Sequence, residues 1–225
     1  MGHPVVRASF LAGILLLLGA FRAESADLLS LSVRFTWDSV KDSEITTDRG
    51  FTVRLDAAEV MSAGFALVPC AEQGAQLNIM RIGHFSGVLP NQLPLERTES
   101  LLGRGTFAID GFDPPDIAYC QAHYVLGGPR GGQSLKIEGS YRAPGSETWT
   151  AFSVATPEAY GAFVPLLSIQ RRAMKGRLGA VRSITVQRPA SGWFDGIDFA
   201  NVQGTQIGRA VLRRIANGTA VTVQR

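Results

Sequence analysis

Cys120 and His123 are the residues whose types and spacing first suggest metal chemistry, because they form a C-x-x-H pair. That spacing brings two side chains together on a turn or a helix, whereas residues three apart on a strand point to opposite faces. Ala118 to Leu126 is predicted to be a central strand, with Tyr119, Tyr124 and Val125 as its bulky members. A joint Cys120–His123 site is therefore disfavoured, and His123 alone stays a candidate for facing a metal or a partner.

Cys70 and Cys120 are the only two cysteines of the chain. The signal-peptide pattern of residues 1–25 indicates export into an oxidising compartment. We therefore predict a disulfide between these cysteines. In the chain-entropy model, closing a loop of roughly 50 residues stabilises a fold by about 3–4 kcal/mol. A thiolate metal site is the alternative.

The remaining motifs do not assemble a catalytic site, so we predict no catalytic residues. Ser86 lies in Gly83-His84-Phe85-Ser86-Gly87, which differs from the Gly-x-Ser-x-Gly of a nucleophile elbow. The glycine-rich Gly128 to Gly132 lacks the Lys-Ser/Thr of a phosphate loop. Asp195 and Asp198 offer two carboxylates to a hard cation such as calcium, but a capped turn is the preferred interpretation.

The first 25 residues have the pattern of a secretory signal peptide. Arg7 supplies the positive charge, Phe10 to Phe21 is apolar, and Ala23-Glu24-Ser25 fits the small-x-small rule for cleavage before Ala26. The apolar run is shorter than the roughly 20 residues that span a bilayer, although an uncleaved anchor is the alternative. We predict a periplasmic or secreted protein without stable membrane insertion after signal removal.

The mature part, residues 26–225, carries 20 basic and 18 acidic residues, because cleavage removes Arg7, Arg22 and Glu24. A nucleic-acid binder usually presents a stronger basic stripe with stacking aromatic residues. The clusters at Arg171 to Arg177 and Arg209 to Arg214 are interpreted as solvated faces. We therefore expect no nucleic-acid partner.

Short segments of alternating hydrophobicity predict a mainly β fold, specifically a single antiparallel β-sandwich domain with a short C-terminal helix. Leu29 to Trp37 alternates at period two, and Leu135 to Tyr141 and Thr148 to Val154 are predicted to form a hairpin across Pro144-Gly145. Further strands are expected at Phe51 to Leu55, Val60 to Val68, Thr106 to Ile109, Ala118 to Leu126 and Leu178 to Val186.

Three other segments are assigned differently. Asp38 to Gly50 and Gly83 to Leu95 are expected to be loops, since Pro90 and Pro94 would interrupt a strand ladder. Near the C-terminus, Ile207, Val211, Leu212 and Ile215 recur at helical spacing between a capping Thr205 and a terminating Gly218. Ala220 to Val223 is expected to add an edge strand.

Four features together resemble the MbnP-like family of exported bacterial proteins. They are the strand region Phe51 to Cys70, the histidine of the Gly83 loop, the strand Tyr119-Cys120-Gln121-Ala122-His123-Tyr124, and the segment Trp193 to Phe199. The resemblance spans most of the mature chain. It implies a β-sandwich that works with a di-haem peroxidase-like partner and, in some members, binds copper through histidines and a tryptophan oxidised to kynurenine.

The resemblance makes His84 and His123 the candidate copper ligands and Trp193 the candidate modified residue. These two histidines are the only ones left after signal removal. A copper site built on imidazoles would then need further ligands, such as a methionine, a carboxylate or a modified tryptophan.

Three functions follow as hypotheses. The first is a non-enzymatic exported β protein that binds copper. The second is an adhesion or carbohydrate-binding module that uses exposed tryptophan and tyrosine faces without a metal. The third is a hydrolase, for which the sequence offers no assembled nucleophile, base and orienting group.

Overall fold

The structure is a computed structural model that describes residues 29–37, 44–70, 89–129, 132–168, 170, 172–189, 191–202 and 204–225. The predicted signal peptide, residues 1–25, lies outside the described residues. So do His84 and Ser86 of the Gly83–Gly87 motif.

Twelve strands and one helix make up the described part of the chain. In order they are β1 (Leu31–Trp37), β2 (Glu44–Thr46), β3 (Thr52–Pro69), β4 (Gln92–Ser100), β5 (Gly105–Phe112), β6 (Ala118–Leu126), β7 (Leu135–Arg142), β8 (Trp149–Thr156), β9 (Tyr160–Ser168), β10 (Gly176–Arg177), β11 (Ser183–Arg188), α1 (Gly204–Gly218) and β12 (Ala220–Gln224). The predicted mainly β fold with a short C-terminal helix is confirmed.

The strands form one hydrogen-bonded sheet in the order β5-β1-β11-β12-β9-β6-β3-β7-β8. β2 and β4 also pair with β3, and β10 pairs with β6. Most neighbours are antiparallel, but β1 with β11 and β12 with β9 are parallel. The sheet is therefore mixed, where the sequence had predicted an antiparallel arrangement.

The sheet curls so that strands distant in its order face each other across the core. Phe35 of β1 and Phe65 of β3 have ring centroids 6.2 Å apart, although four strands lie between β1 and β3 in the sheet order. Val33, Phe35, Phe65 and Tyr124 are fully buried on this concave side, which we call the inner face. Strict alternation places their neighbours on the opposite side, the outer face.

β3 is longer than either strand that the sequence predicted for this region. Its 18 residues join the predicted Phe51 to Leu55 and Val60 to Val68 segments. Register shifts lie between Leu55 and Ala57 and between Ser62 and Gly64. These irregularities bend the strand and let it pair with β7 along one half and β6 along the other.

Four strands were not predicted, and one of them is the two-residue β10. β2 lies within the expected loop Asp38 to Gly50, and β4 takes in Pro94, which faces Gly64 at the register shift of β3. A proline is tolerated there because the ladder is already interrupted. β9 was missed altogether, since its Gly161 and Pro165 weaken the strand signal.

α1 begins at Gly204 and ends at Gly218, so the predicted stop is in place, but Thr205 lies within the helix rather than capping it. It buries the predicted apolar residues Ile207, Val211, Leu212 and Ile215, which pack into the common core. The predicted hairpin is confirmed as β7 and β8, and Gly145 in its turn has a φ of 74°, a conformation that glycine adopts without strain. β12 follows the helix, but it lies inside the sheet rather than at an edge.

Candidate functional site

His123 lies on β6 and faces the outer side of the sheet. Its neighbours across the ladder are Ala66 of β3 and Phe163 of β9. The imidazole stacks on the Phe163 ring with centroids 4.5 Å apart and an interplanar angle of 22°. Phe163 is itself 43% exposed, so this aromatic pair reaches the surface of the protein.

Gly161 makes room for the imidazole. A Cβ atom at position 161 would lie 2.5 Å from Nε2 of His123, which is shorter than any ordinary contact. The ring can therefore lie over the backbone of β9 only because this residue has no side chain. Gly161 and Phe163 together fix the plane of the His123 ring.

The electrostatic environment keeps His123 neutral. Burial lowers the pKa of its imidazole, because the charged form loses water contacts. Its Nδ1 is buried and has no hydrogen-bond partner among the described residues. A neutral imidazole with an unused ring nitrogen is the protonation state that coordinates metals.

The predicted disulfide between Cys70 and Cys120 is present, with an S–S distance of 2.00 Å and a Cα–Cα distance of 4.9 Å. It ties the end of β3 to β6 at the point where their register shifts. Both thiols are consumed, so neither is a thiolate ligand. The joint Cys120–His123 site is accordingly not formed.

Trp193, the candidate modified residue, is buried, with 2% of its surface exposed. Its Nε1–H donates a hydrogen bond of 3.0 Å to the carbonyl of Pro189. Trp193 begins a turn. The next residue, Phe194, packs against Phe199, with the two ring centroids 5.7 Å apart. In the structure Trp193 anchors the segment that precedes α1.

The two carboxylates of this segment are engaged within turns. Asp198 accepts hydrogen bonds from the backbone of Ala200 and the side chain of Asn201, which lower its pKa. Oδ1 of Asp195 accepts the backbone N–H of Asp48. These contacts support the capped-turn interpretation over a calcium site.

Arginine guanidinium groups lie over two of the three tryptophan rings that a carbohydrate-binding module would use. The guanidinium of Arg188 lies 4.9 Å from the Trp37 ring, and those of Arg54 and Arg142 lie 4.5 and 5.0 Å from the Trp149 ring. The third tryptophan is the buried Trp193.

A buried polar cluster on the inner face was not predicted. Nε of Arg188 donates to Oη of Tyr124 at 2.9 Å, and Oη in turn lies 2.6 Å from Oγ of Ser62. The guanidinium also forms an ion pair with Glu99. The Arg188 side chain is fully buried and only 1% of the Glu99 side chain is exposed, so this pair is removed from solvent.

Burial and neighbouring charges shift the pKa values of this cluster in opposite directions. Burial raises the pKa of Glu99, while Arg188 acts to lower it. Burial would lower the pKa of Arg188, but Tyr124 and Glu99 more than offset this and raise it. The arrangement joins β3, β4, β6 and β11 across the core, and its charges face each other rather than an open pocket.

One sequence signal could have revealed this cluster. Ile184 and Val186 alternate onto the inner face of β11, and continuing the same alternation places Arg188 on that face too. Our predicted strand ended at Val186. Its partner Glu99 could not be assigned, because nothing local in the sequence shows that β4 approaches the end of β11.

The described residues contain no group of three or more His, Cys, Asp or Glu side chains placed to hold a metal ion. No helix in the described part of the chain is long and apolar enough to cross a membrane. Comparisons with family models, curated proteins and solved structures gave no match to this chain.

Proposed function

We propose that this is an exported, non-enzymatic binding protein that uses His123 as one ligand of a copper ion. The observation that carries the proposal is the neutral, outward-facing imidazole of His123 with its unpartnered Nδ1. Imidazole nitrogen is a preferred ligand of copper. The stacking on Phe163 and the space above Gly161 hold the ring in one orientation. Because the His123 side chain is already ordered, it loses less conformational entropy when it binds a metal ion.

The described residues supply part of such a site and do not complete it. They offer one imidazole without a surrounding group of other candidate ligands, and both cysteine sulfurs are in the disulfide. His84 is the second proposed ligand, and it lies outside the described residues. A di-haem peroxidase-like protein is the proposed partner, on the basis of the family resemblance alone.

Location outside the cytoplasm is supported by the disulfide. Such bonds persist mainly in oxidising compartments, such as the periplasm or the cell exterior. The signal-like composition of the first 25 residues points the same way. We accordingly propose a periplasmic or secreted protein.

Calorimetric titration of the metal-free protein with copper(II) tests the proposal. The variants are His123→Ala and His84→Ala, and Gln121→Ala is the matched control because Gln121 is an exposed residue on the same strand and face. We expect saturable binding that weakens by at least about 100-fold in either histidine variant. Mutation of residues that only orient the ligands already lowers metal affinity by about 10–100-fold, and loss of a ligand itself should cost more. The control should bind like the unaltered protein.

Binding that survives both histidine substitutions would remove this site assignment. Absence of saturable copper binding by the unaltered protein would refute the function itself. The non-enzymatic part is tested separately with ester and glycoside substrates, where turnover abolished by Ser86→Ala would favour a hydrolase.

A further inference from the structure

A cavity of about 580 Å³ lies between the C-terminal half of α1 and the segment that follows β11. Its volume is within the range of about 300–1,000 Å³ that is usual for small-molecule sites. Its lining residues are Pro189, Ser191, Gly192, Ala210, Arg213, Arg214, Asn217 and Gly218.

Two arginines give this cavity its charge. Arg209 lies one turn earlier on the exposed side of α1, and its guanidinium pairs with Glu158. In contrast, no carboxylate of the described residues forms an ion pair with Arg213 or Arg214. Among the described residues, these two positive groups therefore have no carboxylate within ion-pair distance.

The helix wall of the cavity is held by Tyr160. The guanidinium of Arg213 lies 5.6 Å from the centre of the Tyr160 ring. The hydroxyl of the same tyrosine donates to Oδ1 of Asn217 at 3.2 Å. One tyrosine thus positions both a cationic and a neutral polar group of the cavity.

The opposite wall is fixed by hydrogen bonds of its own. The Trp193 indole binds the carbonyl of Pro189, as described above. Asp48 accepts the backbone N–H of Gly196 at 2.5 Å and donates its own N–H to Asp195. Oδ1 of Asp195 is thereby engaged with the backbone. Asp195 does not line the cavity itself, although its Oδ2 lies 3.2 Å from the position of a Cβ atom at the lining residue Gly192.

We propose that this cavity binds a small organic anion that carries a carboxylate or a phosphate group. Guanidinium groups bind both kinds of oxyanion through charge-assisted hydrogen bonds. Ser191 and Asn217 add neutral hydrogen-bonding groups, and Pro189 and Ala210 offer apolar surface to the rest of the molecule. The contacts of Tyr160 already hold Arg213 and Asn217, which reduces the ordering that binding requires. This site is independent of the copper proposal.

Calorimetric titrations with inorganic phosphate, citrate and glycerol test the inference on the full protein. Phosphate and citrate distinguish the two oxyanion sources, and glycerol is a neutral probe of similar polarity. The test variant is Arg213→Gln with Arg214→Gln, and the matched control is Arg209→Gln, which removes one charge from the same helix outside the cavity. Circular dichroism confirms that each variant is folded.

We expect saturable binding of at least one anion, no binding of glycerol, and a loss of affinity of about tenfold or more in the double variant, because hydrogen bonds to charged groups are the strong ones. Added sodium chloride should weaken the binding, since the groups are exposed to solvent. Binding of neither anion would overturn the inference. Equal weakening in the control would also overturn it, because a general effect of helix charge would then explain the result.

Discussion

Tyr124 and His123 are neighbours on β6, yet they face opposite sides of the sheet and opposite chemical surroundings. Tyr124 points to the inner face, where its hydroxyl is hydrogen-bonded to Arg188 and Ser62. His123 points to the outer face, where its buried Nδ1 has no partner among the described residues. The inner cluster sets opposite charges against each other, although both carboxylate oxygens of Glu99 and Nη1 of Arg188 form no hydrogen bond within the described part of the chain. Nδ1 of the outer imidazole has neither a hydrogen bond nor an ion pair among the described residues.

This difference separates a structural polar site from a candidate binding site. The inner cluster contains a full ion pair, but both of its charged side chains are enclosed. His123 has a weaker electrostatic environment, but it lies beside the exposed Phe163. The position of His123 beside a partly exposed ring, rather than the lack of a hydrogen bond, therefore distinguishes it from the inner cluster.

The largest expected effect comes from breaking the inner ion pair. Arg188→Met leaves Glu99 buried without its partner, which should lower the free energy of unfolding by about 3–5 kcal/mol. Urea denaturation measures this change. Arg54→Met is the control, because Arg54 pairs with Glu44 at the surface and its loss should cost about 1 kcal/mol or less.

A double variant sharpens the same comparison. Combining Arg188→Met with Glu99→Leu removes both charges and should recover most of the lost stability. If the single variant were as stable as the surface control, the inner cluster would not have the structural role assigned to it.

A smaller effect is expected on the outer face. Gly161→Ala places a methyl group against the His123 ring, and overpacking of this kind costs about 1–3 kcal/mol. The control is Gly103→Ala, where an added Cβ meets nothing within 4 Å and stability should stay within about 0.5 kcal/mol. Thermal or urea unfolding compares the two variants, and equal stability of both would contradict the close contact at His123.

The smallest effect is a pH dependence of stability from His123. Its folded pKa lies below the ordinary value of 6.5, so the unfolded chain binds more protons in this window. The stabilising contribution is complete above pH 6.5 and is lost as the pH falls towards the lowered pKa. Unfolding measured from pH 7.5 downwards should therefore show a steeper loss for the unaltered protein than for His123→Gln. Identical slopes would show that burial does not disfavour the charged imidazole.

The alternation of single strands was readable from the sequence, and their long-range pairing was not. Leu31 to Trp37 and the β7–β8 hairpin follow directly from period two and from a turn at Gly145. The parallel pairing of β1 with β11 depends on residues about 150 positions apart, for which the local pattern carries no information.

The candidate site was predictable to a similar extent. The strand containing His123 and the disulfide of Cys120 could be derived from residue type and alternation. The contact of His123 with Gly161 could not be derived, because β9 itself was not predicted. The same gap hid the Tyr160 side chain that positions Arg213.

The placement of β12 has a consequence for how the protein folds. Its five residues lie between β11 and β9, so they connect the β5-β1-β11 portion of the sheet to the β9-β6-β3 portion. Until β12 has paired on both sides, these portions remain unconnected by backbone hydrogen bonds. Pairings between residues distant in the sequence slow folding, so closure of the sheet at β12 is expected to be a late step.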